Sequence, residues 1–574
     1  MRRSTIRLSE KEIREKMIEI KCKKNKFTYN VYHITKAFFP SEEIRQTVDE
    51  KQEPLVVLEL PGGSCFSLAQ EEIGADIPAG SSLSDNSSDN SLSDHPSEGS
   101  LSDGPSGSGL SEEEYAQIEK RAVTRKVYQF LSKAAGRELA WGTLTGVRPT
   151  KLVMQMVEEG RSFEEITDFL QGEYFVTRKK AELGYEIACR EKQLLEKLNS
   201  AKARETEAPQ AEQSEAEQSE AGQAAGKQMR ASMPKWDEAK GFSLYVGIPF
   251  CPSVCSYCSF SSSPIGVWRD RVDSYLDALV KEIRALGRMA EGNCPDTVYI
   301  GGGTPTTLEP EQLRRLLTEI TENFDLSKTV EFTVEAGRPD SITEEKLLAL
   351  KEFPVTRISI NPQTMQQKTL DLVGRKHTVE DIEEAYACAR RLGFDNINMD
   401  LIAGLPGETA EDMHDTLAKI EEMRPDSLTV HSLAIKRAAK FGQEGRSMDL
   451  HTEISQMVDD AADSARKMGL KPYYLYRQKN IAGNFENVGY AKLDKAGIYN
   501  ILIMEERQTI LAAGAGASTK LLLREPIRTE KGKEIDLVHV ENVKSITDYI
   551  GRIDEMIERK HPSGIPLCRG KHGV

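Results

Sequence analysis

From Phe242 onward, short apolar runs alternate with stretches that place apolar residues every three or four positions. The runs at 242–248, 296–300, 329–335, 355–360, 395–401 and 427–433 predict six strands, with helices between them. After the first run come Val272, Leu276, Leu279, Ile283 and Leu286, the stripe a helix needs to lie on a sheet. Six βα units in series predict an α/β fold, a partial (β/α)6 TIM-like barrel over residues 241–470. Residues 471–574 are then a small C-terminal extension covering the barrel.

The pattern upstream is different. Residues 1–78 predict a small α+β domain, with Lys26-to-Thr35 and Pro54-to-Leu60 reading as strands rich in β-branched and aromatic residues. Residues 79–111 are Ser-, Asp- and Gly-rich, and Ser-Leu-Ser-Asp recurs at 82, 91 and 100. So little apolar surface cannot offset the entropy of ordering, which predicts a disordered linker. Residues 112–200 predict a helical domain, with Ile118, Ala122, Val127, Phe130 and Leu131 on one face and Ile166, Phe169 and Leu170 on another. The tandem Ala-Glu-Gln-Ser-Glu at 211 and 216 marks residues 201–240 as a low-complexity tether.

A net charge of -15 argues against binding to nucleic acid or an anionic membrane surface. No run approaches 18 apolar residues, and Met1-Arg2-Arg3-Ser4 leads into a charged segment, so no membrane span is expected and the chain reads as cytoplasmic. Of nine cysteines, Cys22, Cys65, Cys189, Cys294, Cys388 and Cys568 are scattered singly, as free thiols in a reducing compartment are. The other three are clustered.

Directly after the first strand run, Cys251, Cys255 and Cys258 are spaced by three and then two residues. Three thiolates so placed can hold three corners of an iron–sulfur cubane and leave the fourth iron open. Zinc and a trio of buried thiols are the alternatives, although a closed zinc site wants a fourth ligand and no further Cys or His is nearby. The later strand runs end in Gly301-Gly302-Gly303-Thr304, Glu335, Gln363 and Asp400. One polar strand end needs no explanation, but four in succession suggest a rim that grips a ligand.

The Cys-x3-Cys-x2-Cys loop, with Tyr257 before its last cysteine and a first βα unit around it, closely resembles the radical S-adenosylmethionine superfamily. Position by position, residues 240–520 resemble the oxygen-independent coproporphyrinogen III oxidases, and most closely the coproporphyrinogen dehydrogenase branch called HemZ. That branch shares Trp141-to-Pro149 and Pro472-to-Asn480. The resemblance implies a [4Fe–4S] cluster on Cys251, Cys255 and Cys258, with S-adenosylmethionine chelated to the open iron. It implies that Tyr245, Gly302, Glu335 and Ala434 line this cofactor, Glu335 through the ribose hydroxyls. Gly303, Thr304, Gln363, Arg375 and Asp400 would contact a second S-adenosylmethionine, with Tyr257 where the family has Phe.

The reaction so implied is decarboxylation of coproporphyrinogen III propionates to vinyl groups by a 5′-deoxyadenosyl radical. It needs a flavodoxin- or ferredoxin-like electron donor and an electron acceptor. Four propionates also need cations. Lys436, Arg437, Lys440, Arg477 and Lys479 follow the sixth strand, and bidentate pairing makes Arg437 and Arg477 the candidates, an exposed helix charge being the alternative. Phe260 stands where the best-defined oxidases have a further Cys, and Glu486 and Ala491 stand where related haem chaperones have His and Trp. A carboxylate is a poor axial ligand for haem iron, which favours an enzyme over a haem chaperone on the same scaffold. A radical enzyme with another substrate is the third reading.

Overall fold

The computed structural model describes residues 17–40, 42–76, 112–146, 148–206, 237, 240–433, 451–477, 485–528 and 534–560. Segment 79–111, most of 201–240, Ala434, Lys436, Arg437, Lys440 and Lys479 lie outside them. The chain forms two compact units: the described residues up to 146 with 167–181, and those of 148–166 and from 182 onward. No helix among the described residues is long and apolar enough to cross a membrane.

The smaller unit has a four-stranded sheet built from β1 (Met17–Cys22), β2 (Glu43–Val48), β3 (Val56–Glu59) and β4 (Cys65–Leu68), in the order β2-β1-β3-β4. Lys26-to-Thr35 is not a strand. It lies in helix α1 (Asn25–Phe38), because Phe27, Val31, Ile34 and Phe38 recur at helical spacing and all four are buried. Helix α2 (Glu112–Ala135), expected to open a separate helical domain, shares this unit's core. Its Ala122, Val123, Val127 and Leu131 join one buried cluster with Ile18, Ile20, Val31 and Leu58. So small a sheet with one helix cannot enclose a core alone.

Helices α3 (Thr150–Glu158), α4 (Phe163–Tyr174) and α5 (Arg178–Thr206) follow. The last runs into the expected tether because Ala201-Lys202-Ala203-Arg204 are strong helix formers.

In the larger unit all six predicted strands form: β5 (Phe242–Ile248), β6 (Thr297–Gly302), β7 (Glu331–Gly337), β8 (Arg357–Ile360), β9 (Ile397–Ala403) and β10 (Ser427–Ser432). They are parallel neighbours in sequence order. Helix α6 (Val272–Met289) follows β5 and buries Val272, Leu276, Leu279, Ile283 and Leu286 as expected. Each such side chain stabilises the fold by roughly 1.5–3 kcal/mol.

The C-terminal extension does not simply cover this sheet; it lengthens it at both edges. Strand β12 (Asn487–Ala491) pairs antiparallel with β10, and β11 (Lys471–Tyr476) pairs antiparallel with β12. On the other edge β13 (Thr509–Ala513) pairs parallel with β5, followed by β14 (Ser518–Arg528) and β15 (Glu534–Glu541). The result is an eleven-stranded sheet, ordered β11-β12-β10-β9-β8-β7-β6-β5-β13-β14-β15.

The turn after β13 is locked from below. Gly514 has φ +111°, and a Cβ there would meet the Gly247 carbonyl oxygen at 2.5 Å. The fully buried Glu282 of α6 accepts from Gly514 N (2.9 Å), Asn542 Nδ2 (2.9 Å), the Tyr549 hydroxyl (2.5 Å) and Lys560 Nζ. Lys560→Met removes the cation from this buried carboxylate and is expected to cost about 3–5 kcal/mol. Urea unfolding checks it, since a midpoint equal to that of the parent would show that the pair is not closed.

Candidate functional site

At the C-terminal end of β5 the chain turns into the cysteine loop. The loop is closed by a two-residue ladder between Phe250–Cys251 and Ser263–Pro264 and by Ser263 N donating to Pro249 O (2.8 Å). Its far side is tied down by Ser256 N to Val373 O (3.0 Å) and Ser253 Oγ to Gly374 O (3.0 Å). Cys251, Cys255 and Cys258 are all half-buried, and burial raises the thiol pKa of Cys251 and Cys258. Among the described residues no three His, Cys, Asp or Glu side chains converge as on a single ion. The three thiols are instead electrostatic neighbours spread over the loop.

The glycine run after β6 lies directly under this loop. Gly303 N donates to Ile248 O and Thr304 N to Phe250 O, both at 2.7 Å, and Thr304 Oγ1 reaches Cys251 Sγ at 3.5 Å. A Cβ on Gly303 would stand 2.5 Å from the Phe250 carbonyl oxygen, and one on Gly301 2.8 Å from Glu335 Cδ. Gly302 has φ +106°. No side chain fits here, so the run is a close-approach element rather than a free turn.

Glu335, near the end of β7, accepts from the Tyr299 hydroxyl. Burial pushes its carboxyl up to about 7, with Asp400 adding to the rise while Tyr299, the Gly302 N–H and Arg357 oppose it. Tyr299 stacks on Tyr499 (ring centroids 4.5 Å), and Tyr245 stacks against both at 6.3 and 6.4 Å. Asp400, on β9, is the opposite case. Burial would raise it, yet His431 and Asn398 hold it below the usual carboxylate range, with Asn398 Nδ2 at 2.7 Å and His431 Nε2 at 3.7 Å. Two carboxylates whose charges influence one another are thus driven apart in acidity.

Gln363 takes a left-handed φ of +69°, held by Gln363 N to Asp400 O and Ile402 N to Gln363 O, both 2.9 Å. A non-glycine residue rarely adopts this conformation, and here it is pinned to β9 at the rim. Arg375 is buried and donates to the Tyr257 hydroxyl (3.0 Å) and Asn361 O (2.7 Å), so these two expected residues meet.

Arg477 directly follows β11. It is 5 % exposed, and burial lowers its pKa to about 10 with Glu486 as its charge neighbour. Tyr299, Tyr499 and Arg357 were not expected from the sequence. Tyr299 was findable, since it pairs in register with Tyr245. Arg357, 2 % exposed in the middle of the sheet, was visible as a lone cation in an apolar run. Nothing local marks Tyr499, which comes from helix α7 (Ile498–Glu505). A cleft of roughly 620 Å3 lined by Leu194, Val330, Val355 and Asn396 sits at the N-terminal strand ends, away from this rim.

The model of the Radical SAM superfamily matches residues 245–420. With the parallel sheet and the three-cysteine rim, this defines a radical S-adenosylmethionine protein, whose cofactors are a [4Fe–4S] cluster and S-adenosylmethionine. The oxygen-independent coproporphyrinogen-III oxidase-like protein HemZ of Bacillus subtilis (strain 168) is 37% identical over 454 residues, 78% of this chain and 81% of that protein. The chain belongs to the HemZ family. The heme chaperone HemW of the same organism is 37% identical over 202 residues, 35% of this chain and 52% of that protein. The solved structure of coproporphyrinogen III oxidase (HemN) from Escherichia coli gives a TM-score of 0.46 at 24% identity, covering 59% of this chain and 74% of that one.

The residues present fit these cofactors. Three thiols share one anchored loop, and a side-chain-free glycine cradle and a buried carboxylate lie beside it.

Proposed function

We propose that this radical S-adenosylmethionine oxidoreductase of haem metabolism decarboxylates propionates of coproporphyrinogen III to vinyl groups. The observation that carries the reading is the meeting of the cysteine loop, the glycine cradle and Glu335 on one rim. Cys251, Cys255 and Cys258 would hold the cluster as thiolates. Together with S-adenosylmethionine the cluster would supply the radical chemistry that removes one hydrogen atom from a propionate β-carbon. Loss of CO2 and of one electron to an acceptor then leaves the vinyl group, so each propionate balances.

The chain's own residues bind and orient. Glu335 would accept the ribose hydroxyls, and the Tyr245–Tyr299–Tyr499 stack would exclude water behind it. Gly302 would let the backbone approach the cofactor, and Gly303, Thr304, Gln363, Arg375, Asp400 and Tyr257 would form a second binding place beside it. We assign the reductant by class, a flavodoxin- or ferredoxin-like protein, and the compartment as the cytoplasm. The buried Glu486 beside Arg477 supports an enzyme over a haem chaperone, because a carboxylate already matched by a cation is poorly suited to haem iron.

Glu335 gives a pH dependence. Its ionised form accepts hydroxyls, and the free carboxyl titrates near 7. S-adenosylmethionine affinity should therefore weaken as pH falls through 7, by roughly tenfold per unit below it. Calorimetric titration between pH 5.5 and 8 checks this, and Glu335→Gln should bind weakly with no slope.

Anaerobic incubation of the cluster-loaded protein with reductant, S-adenosylmethionine and coproporphyrinogen III, followed by mass spectrometry, tests the assignment. Two successive losses of CO2 with two hydrogens each support it. Deoxyadenosine without porphyrin turnover indicates another substrate, and tight haem uptake without turnover indicates the chaperone.

A further inference from the structure

We propose that Arg338 tunes the reduction potential of the cluster through Cys255, with Asp340 as the counter-charge that sets how much of its field the cluster feels. This rests on the reading of Cys255 as a cluster ligand.

Arg338 follows Gly337 at the end of β7 and is 4 % exposed. One terminal nitrogen, Nη1, faces the cysteine loop, donating to Ser253 O (2.9 Å), Ser253 Oγ (2.9 Å) and Cys255 Sγ (3.6 Å). The rest of the guanidinium is held in a two-point pairing with Asp340, Nε to Oδ1 at 2.9 Å and Nη2 to Oδ2 at 2.6 Å. Behind Asp340 stands His377, its side chain fully buried and its Nδ1 3.6 Å from Asp340 Oδ1. Burial works against the Asp340 charge, but the nearby His377 and the two hydrogen bonds from Arg338 hold that carboxyl well below the usual carboxylate range. A thiol, a cation and an anion thus follow one another from the loop through Arg338 to Asp340.

A guanidinium stays protonated at any working pH. Reducing the cluster adds one negative charge to a centre already carrying three thiolates. A buried cation in contact with a ligand sulfur favours the reduced state, since hydrogen bonds to the sulfurs and local charge set cluster potentials. The carboxylate on the far side of that cation works in the opposite direction. The two residues should therefore move the potential with opposite signs.

Arg338→Gln, Arg338→Lys and Asp340→Asn, reconstituted anaerobically in the full chain, are titrated with a reductant and followed by visible absorbance and electron paramagnetic resonance. Arg338→Gln should shift the midpoint negative, Asp340→Asn should shift it positive, and Arg338→Lys should fall between Arg338→Gln and the parent. A scaffolding role would not separate the two residues by sign. Parental midpoints in all three, or shifts of the same sign in Arg338→Gln and Asp340→Asn, would overturn the proposal. If Arg338→Gln fails to hold a cluster, Asp340→Asn decides alone, because its Arg338 keeps the loop contacts. A parent chain that takes up no iron and sulfide would overturn the ligand reading beneath the proposal, and this is seen before any variant is titrated.

Discussion

Cys255→Ala, reconstituted anaerobically with iron and sulfide, is expected to show neither the visible absorbance of a cluster nor cleavage of S-adenosylmethionine above background. Cys255 is the middle residue of the trio, so its loss leaves two thiols, seven residues apart, on a loop with no neighbouring thiol to replace it. The Ser256 and Ser253 contacts to Val373 and Gly374 do not use the Cys255 side chain, so the loop should keep its anchors. Cys294→Ala and Cys388→Ala change thiols elsewhere in the barrel unit and should leave both signals intact. Either signal surviving in Cys255→Ala would overturn the ligand assignment.

The second large effect belongs to Gly303. A Cβ there would stand 2.5 Å from the Phe250 carbonyl oxygen and 2.9 Å from that of Ile248. Those carbonyls also accept the Thr304 and Gly303 N–H groups, so relieving the clash means breaking the bonds that seat the cysteine loop. Gly303→Ala should weaken S-adenosylmethionine binding by at least about tenfold, equivalent to ~1.4 kcal/mol. Calorimetry on the cluster-loaded protein measures this. Gly551→Ala, where an added Cβ meets nothing within 4 Å, is the control and should bind like the parent.

What the sequence made legible was local. The six strands of the barrel formed where apolar runs predicted them, because a strand buried on both faces leaves a continuous hydrophobic signature. The cysteine loop stood out by its spacing, which left zinc and buried thiols open until the resemblance of its surroundings favoured a cluster. Lys26-to-Thr35 misled because its β-branched and aromatic content outweighed the helical recurrence of Phe27, Val31 and Ile34. Strand β13 escaped notice as a seventh parallel strand because only pairing with β5, more than two hundred and fifty residues earlier, gives Thr509–Ala513 its place. Tyr499 was hidden for the same reason. Arg338 sits in a short Gly-Arg-Pro-Asp segment that signals only a turn, and its approach to Cys255 exists only once β7 lies beside the loop.

The haem-chaperone alternative turns on Glu486 and Arg477. The sequence supplied the substitution of His by Glu, and the fold supplied the buried cation beside it. A carboxylate beside a buried cation is a poor axial ligand for haem iron.

The most direct test uses coproporphyrinogen III deuterated at the propionate β-carbons, incubated anaerobically with the reduced protein and unlabelled S-adenosylmethionine. Deuterium in the recovered 5′-deoxyadenosine, alongside vinyl product, is the expected result. Deoxyadenosine that forms without deuterium while the porphyrinogen returns unchanged would contradict the assignment of this rim to propionate chemistry.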